Sequence, residues 1–204
     1  MKTPIRSLLI LVLAWGLVIV AISGSHLLAK GPAAAPAVAV SVLTAAFAGL
    51  VLRPGTLNDA LRSLGRRTLV GFNVFRIIGL YFVWLQAQGR LPVEFAERAG
   101  WGDVTVAAGA AVLLFVPERP STRGLFVLWN LFGIADLVIA VGTATWLNFA
   151  RPGAMVGIVA LPLSLVPLWL VPMYLTIHFY LLRRPVGNFR PAATPTPVGT
   201  ARAA

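Results

Sequence analysis

The sequence predicts an all-α membrane protein, a compact bundle of about six transmembrane helices whose last member is kinked by proline. Three observations predict it. Of 204 residues, 58% are hydrophobic and 11% charged, against roughly 25% charged in ordinary soluble domains. The apolar residues are gathered into runs that reach or approach the roughly 20 residues a helix needs to cross a hydrocarbon core. The basic residues lie almost entirely between those runs. Separate apolar segments in lipid can satisfy their backbone only as helices, so the bundle occupies residues 1–184 and leaves no polar stretch long enough for a soluble domain.

The first span covers residues 7–29. Lys2 and Arg6 before it, and Ser23, Gly24 and Ser25 after Ile22, also fit a secretory signal. The apolar run continues through Leu27, Leu28 and Ala29, which favours a retained span. The second span, 33–52, sets Ala37, Ser41, Ala45 and Gly49 at intervals of four. Small residues at that spacing let another helix approach closely. Packing within the chain is the plainer use of this stripe, and a homo-oligomer seam the alternative. Residues 56–67 follow as an amphipathic helix, with Leu57, Leu61 and Leu64 on one stripe and Arg62, Arg66 and Arg67 off it. This helix is expected on the inner membrane surface, its arginines facing anionic lipid. No aromatic interleaves the basic residues, so nucleic acid is not the expected partner.

The third span is 68–88. The outer loop after it, LPVEFAERAGWG, is expected to form one or two interfacial turns, and the fourth span, 103–117, is short. Asp103 opens that span and is expected to cap it. With Glu94 and Glu97 it could also form an outer acidic site. The fifth span is 124–147. The sixth, 154–182, holds Pro162, Pro167 and Pro172, each of which removes a helical donor. The tail 185–204, rich in Pro, Ala and Thr, is expected to be disordered and cytoplasmic.

Orientation follows from charge. With the N-terminus inside, the outer side holds Lys30, Arg90, Arg98 and Arg151. Apart from Arg76, the other twelve basic residues of the seventeen fall on the inner side, which puts both termini in the cytoplasm.

Two opposite charges fall inside apolar segments, Arg76 and Asp136. Such residues are costly in lipid and face protein or water. Counted at 1.5 Å per residue, Asn73, Arg76, Asn130 and His178 share a layer in the inner half of the bundle, with Asp136 deeper. Helical side chains lean toward their own N-terminus, so Arg76 is expected to reach inward toward water, with a direct Arg76–Asp136 pair as the alternative.

There is no cysteine, which excludes disulfides and thiolate chemistry. The two histidines, His26 and His178, differ in depth by most of the membrane and cannot share a metal or a haem. No phosphate-binding loop, zinc-protease pair or serine elbow is present. No cofactor or metal is expected, and the balance lies against an enzyme.

The stretch RIIGLYFVWLQAQGRLPVEFAERAGWGDVTVAAGA, with WNLFGIADLVIAV after it, resembles a family of uncharacterised bacterial multi-span membrane proteins. The resemblance attaches no activity. It implies a bacterial inner-membrane location and draws attention to the GWGD and WNxxGxxD patterns. Three functions are compatible with the residues. One is binding or translocation of a small solute or ion through a polar interior. Another is an accessory or structural membrane subunit. The third is an intramembrane lipid-acting enzyme, with Asp136 and His178 as acid–base groups.

Overall fold

A computed structural model of the chain describes residues 3–25 and 31–184. The expected disordered tail 185–204, His26 and the ends of the 1–29 segment lie outside the described residues. All regular structure among the described residues is helical. The elements are α1 (Thr3–Gly24), α2 (Ala35–Leu52), α3 (Thr56–Ser63) and α4 (Arg66–Ala87). After them come α5 (Val93–Phe95, the π turn Ala96–Gly100 and Trp101–Leu113) and α6 (Arg123–Ala150). The chain ends in α7 (Val156–Val159) and α8 (the π turn Val166–Leu170, then Val171–Arg183). Four helical stretches are long and apolar enough to cross a membrane: Pro4–Gly24, Ala35–Leu52, Arg66–Ala87 and Pro120–Ala150.

The centre of the bundle is built by α4, α5, α6 and α8. The middle of α4 packs on α5, α5 on α6, and α8 on both α2 and α6. Helices α4 and α5 meet at two glycines. A Cβ on Gly100 would stand 2.9 Å from the Gly79 carbonyl oxygen and 2.8 Å from Val83. Only hydrogen at these positions lets the two backbones touch. One end of the core holds Leu61, Val70, Leu113, Phe126 and Leu181. The other holds Phe82, Phe95, Leu147 and Met155.

Helix α4 is not uniformly α. Residues Asn73–Ile78 form a 3₁₀ segment. The Asn73 side-chain amide donates to the Leu69 carbonyl at 3.1 Å, the acceptor that an α-helical amide four residues on would use. Such a side chain competes with the helix ladder and favours the tighter turn. Arg76 lies within this segment.

Several elements depart from the sequence reading. The expected turns before the fourth span are helical, and α5 begins at Val93. Asp103 therefore lies about 15 Å along a continuous helical path and not at its start. The amphipathic helix ends at Ser63. Arg66 starts α4 and is buried. Its guanidinium donates to Glu118 at 3.2 Å and lies 4.5 Å from the Phe126 ring centroid. It is thereby withdrawn from the lipid-facing set, whereas Arg62 and Arg67 stay exposed.

The small-residue stripe of α2 is split: Ala37 is half-buried and lines an interior cavity, whereas the rest of it packs little within the chain. Ser41 and Ala45 are exposed, and a Cβ on Gly49 would meet nothing within 4 Å. The helix turns Val40, Phe47 and Val51 inward instead, because bulky apolar side chains bury more area than alanines. The stretch 154–182 is divided: α7 ends at Val159, the Leu161–Pro162 peptide is cis, and helix resumes before Val166.

Candidate functional site: a buried arginine between two aspartates

Arg76 is fully buried at 0% exposure, with Asp136 at 6% and Asp103 at 7%. The Arg76 Nε–H donates to Asp103 Oδ1 at 2.6 Å. Its Nη2 donates to Asp136 Oδ2. Its Nη1 reaches the Gly133 carbonyl at 3.4 Å and His178 Nε2 at 3.5 Å. One planar cation thus ties α4 to α5, α6 and α8. The fork geometry of guanidinium suits this task, since its donors point in fixed, separate directions. The Tyr174 ring covers the cation with its centroid 5.4 Å from Cζ.

His178 is held from behind. Asn130 donates through Nδ2 to the Phe126 carbonyl at 2.7 Å, which leaves its Oδ1 as an acceptor. His178 Nδ1 lies 2.9 Å from that oxygen. The proton therefore sits on Nδ1, and the Nε2 lone pair faces Arg76, the neutral tautomer that a neighbouring cation favours.

Both sequence patterns converge here. In GWGD, Gly100 meets α4, Gly102 carries the Asp136 carboxylate against its Cα, and Asp103 takes the Arg76 Nε–H. In WNLFGIAD, Trp129 donates to the Val106 carbonyl at 3.0 Å and Asn130 orients His178. Gly133 leaves room for the His178 ring and offers its carbonyl, and Asp136 pairs with Arg76. A Cβ on Gly102 would overlap the Asp136 carboxylate, and one on Gly133 would overlap the His178 ring.

Of the candidate polar interior residues, Arg76, Asp136, Asn130 and His178 are brought together. Asn73 is buried but bonded to its own helix, and its Oδ1 has no hydrogen-bond partner. Arg76 does not reach toward water, because two carboxylates on α5 and α6 hold it. Arg76 bonds to Asp136 through one guanidinium nitrogen and approaches His178 with the other.

The outer acidic site does not assemble. Asp103 turns inward, Glu97 is exposed, and Glu94 pairs with Arg151 at 2.7 Å. Among the described residues no three His, Cys, Asp or Glu gather as a metal site.

Sequence reasoning missed Asp103 as the second anion. The signal was the short fourth span: residues 103–117 are too few to cross a hydrocarbon core. Extending the helix back to residue 93 carries Asp103 to mid-depth.

Asp103 also lines a cavity of about 70 Å³. Its other walls are mainly apolar and include Val40, Phe82, Leu137, Met155 and Val166. Asp136 does not line it. Among the described residues, Asp103 is the charged one in that lining.

No curated protein and no solved structure matches the chain. A family model described as a domain of unknown function, DUF8737, matches residues 32–185, which include every residue of the Arg76 centre. The chain belongs to the family described as Domain of unknown function (DUF8737).

Proposed function

We propose that the protein is a six-span integral membrane protein of a bacterial inner membrane, with both termini cytoplasmic, that binds and exchanges a proton or small cation at the Arg76 centre. The observation carrying this reading is the ratio of charges: two carboxylates surround one guanidinium, all three buried. Two anions and one cation leave one negative charge over. Unbalanced charge away from water is costly. The centre is balanced by one further positive charge, either a proton shared by the carboxylates or a small cation beside them. A proton needs no coordination shell, and the ligand set for a metal ion is poor. On this reading the cavity that Asp103 lines is the access route, and Asp136 is the inner acceptor.

The membrane assignment is supported by the four long apolar helices and by the outward side chains of Leu17, Phe75, Phe115 and Leu128. Exposed apolar surface of that extent marks contact with lipid or protein. In the six-span bundle, α1, α2, α4, α5, α6 and α8 cross, and the turns at 160–164 interrupt the last crossing. Reporter fusions after Arg190 and near Glu97 are expected to report opposite sides, with the Arg190 fusion cytoplasmic. An external Arg190 fusion refutes the orientation.

The exchange reading is tested in proteoliposomes with an internal pH dye under an imposed pH or cation gradient. Wild-type protein is expected to carry proton-coupled flux, and Asp136→Asn to abolish it while expression and melting stay close to wild type. Flux unchanged in both Asp103→Asn and Asp136→Asn removes the exchange role.

A second reading has its own observation. Gly102 and Gly133 seat Asp136 and His178 against neighbouring helices, as a centre that only locks helices together would require. On that reading the protein is an accessory membrane subunit, and wild-type proteoliposomes carry no flux although Arg76 variants fail to fold.

A further inference from the structure

At the end of the bundle where α2 gives way to α3 and α8 finishes, a cavity of about 500 Å³ opens. Its lining is Leu52, Pro54, Asn58, Tyr180 and three arginines: Arg62, Arg183 and Arg184. Among the described residues no carboxylate lines it. The walls are fixed from within. Asn58 donates to the Val51 carbonyl at 3.1 Å and ties α3 to the last turn of α2. Tyr180 is buried, and the Arg184 guanidinium lies 5.6 Å from its ring centroid. Arg62 and Arg183 are exposed. Neither makes an ion pair among the described residues, although Asp59 is one turn from Arg62 on α3.

Like charges gathered around one concavity repel. The arrangement is stabilised when an anion enters. Its volume falls within the roughly 300–1,000 Å³ usual for small-molecule sites. Guanidinium groups present paired N–H donors that match phosphate oxygens, and the Leu52, Pro54 and Tyr180 surfaces offer an apolar wall beside them. A phosphate attached to an apolar body satisfies both. On the six-span reading this end faces the cytoplasmic leaflet, where acidic lipids concentrate.

We propose that Arg62, Arg183 and Arg184 form a binding site for the phosphate of an acidic phospholipid, with its glycerol and first acyl carbons on Leu52, Pro54 and Tyr180. The site replaces the flat arginine row expected from residues 56–67. Arg66 is consumed by Glu118, Arg67 lines a different cavity, and two arginines from the far end of the chain take their place. The inference rests on the membrane reading for its ligand but not on the function of the Arg76 centre.

The test uses the full chain in neutral detergent micelles doped with phosphatidylglycerol or phosphatidylcholine, followed by thermal unfolding and by native mass spectrometry of retained lipid. Phosphatidylglycerol is expected to raise the melting temperature and stay bound, and phosphatidylcholine to do neither. The double variant Arg62→Gln/Arg183→Gln is expected to weaken phosphatidylglycerol binding roughly thirtyfold, the usual contribution of two basic residues near an anionic surface. Arg67→Gln serves as the control and is expected to bind like wild type. Equal binding of the two lipids, an unaffected double variant, or full protection by inorganic phosphate alone overturns the proposal. Micelles have no sidedness, so a reversed topology leaves this result intact. Failure of the site likewise leaves the fusion and flux experiments unaffected.

Discussion

Replacing both Asp103 and Asp136 with asparagine is expected to destabilise the protein by about 3–5 kcal/mol, the cost of leaving a buried charge without its partner. Each single asparagine variant is expected to be far milder. The reason is the charge count. With one carboxylate left, Arg76 keeps one anion and the centre is neutral. With none left, a guanidinium whose ionic contacts among the described residues are to Asp103 and Asp136 keeps the Gly133 carbonyl, the neutral His178 and the Tyr174 ring, none of them an anion. The loss is therefore strongly non-additive, as expected for residues sharing one network. Thermal unfolding in detergent of the wild type, both singles and the double measures it. A double variant no worse than the sum of two small single losses would show that the carboxylates act separately, and the shared-charge account would fail. Asp136→Ala is expected to cost more than Asp136→Asn, since alanine also leaves an empty volume beside the cation.

The second large effect is steric. Gly102→Ala places a methyl group where the Asp136 carboxylate lies. Either α5 and α6 separate or Asp136 turns away from Arg76. Overpacking alone costs about 1–3 kcal/mol, and breaking the pair adds to it. Gly133→Ala does the same to the His178 ring and so detaches α8 from the centre. Gly142→Ala is the control, because a Cβ there meets nothing within 4 Å. In a helix interior it is expected to be neutral or to gain up to about 1 kcal/mol. Asp136→Ala is expected to recover part of the Gly102→Ala loss by vacating the contested space. If Gly102→Ala and Gly142→Ala melt alike, α5 and α6 do not approach as described, and the seat for Asp136 does not exist.

The pairing of helices turns on where Asp103 points, and residue order alone does not settle that. A π turn inserts about one extra residue into a helical turn, which rotates the following face by about 100° relative to an unbroken α-helix. The turn Ala96–Gly100 lies immediately before Trp101-Gly102-Asp103. The 3₁₀ segment Asn73–Ile78 adjusts the phase of Arg76 on the facing helix in the same way. Spacing rules for an ideal helix therefore mislead at both partners, and an N-cap role for Asp103 was the natural expectation. The two irregular turns are brought face to face by Gly79 and Gly100, a contact between residues with no side chain to signal it.

The sequence by itself determined the helical class, the long apolar helices and the presence of an interior charge at Arg76 and Asp136. These depend on local sums: hydropathy over some twenty neighbouring residues, and the cost of an ionised group inside such a run. It also marked GWGD and WNLFGIAD as worth attention, without saying that they meet. Only the tertiary structure decided that Asp103 is the second anion and that Asn73 stays with its own helix. It alone withdrew Arg66 into a pair with Glu118, turned Ser41 and Ala45 outward, and brought Arg183 and Arg62 to one cavity. The placements of Asp103, Arg66 and Arg183 each bring together residues far apart along the chain. Their pairing is set by how closely the helices pack and by the phase at which each face arrives, and neither quantity is carried by any one segment alone.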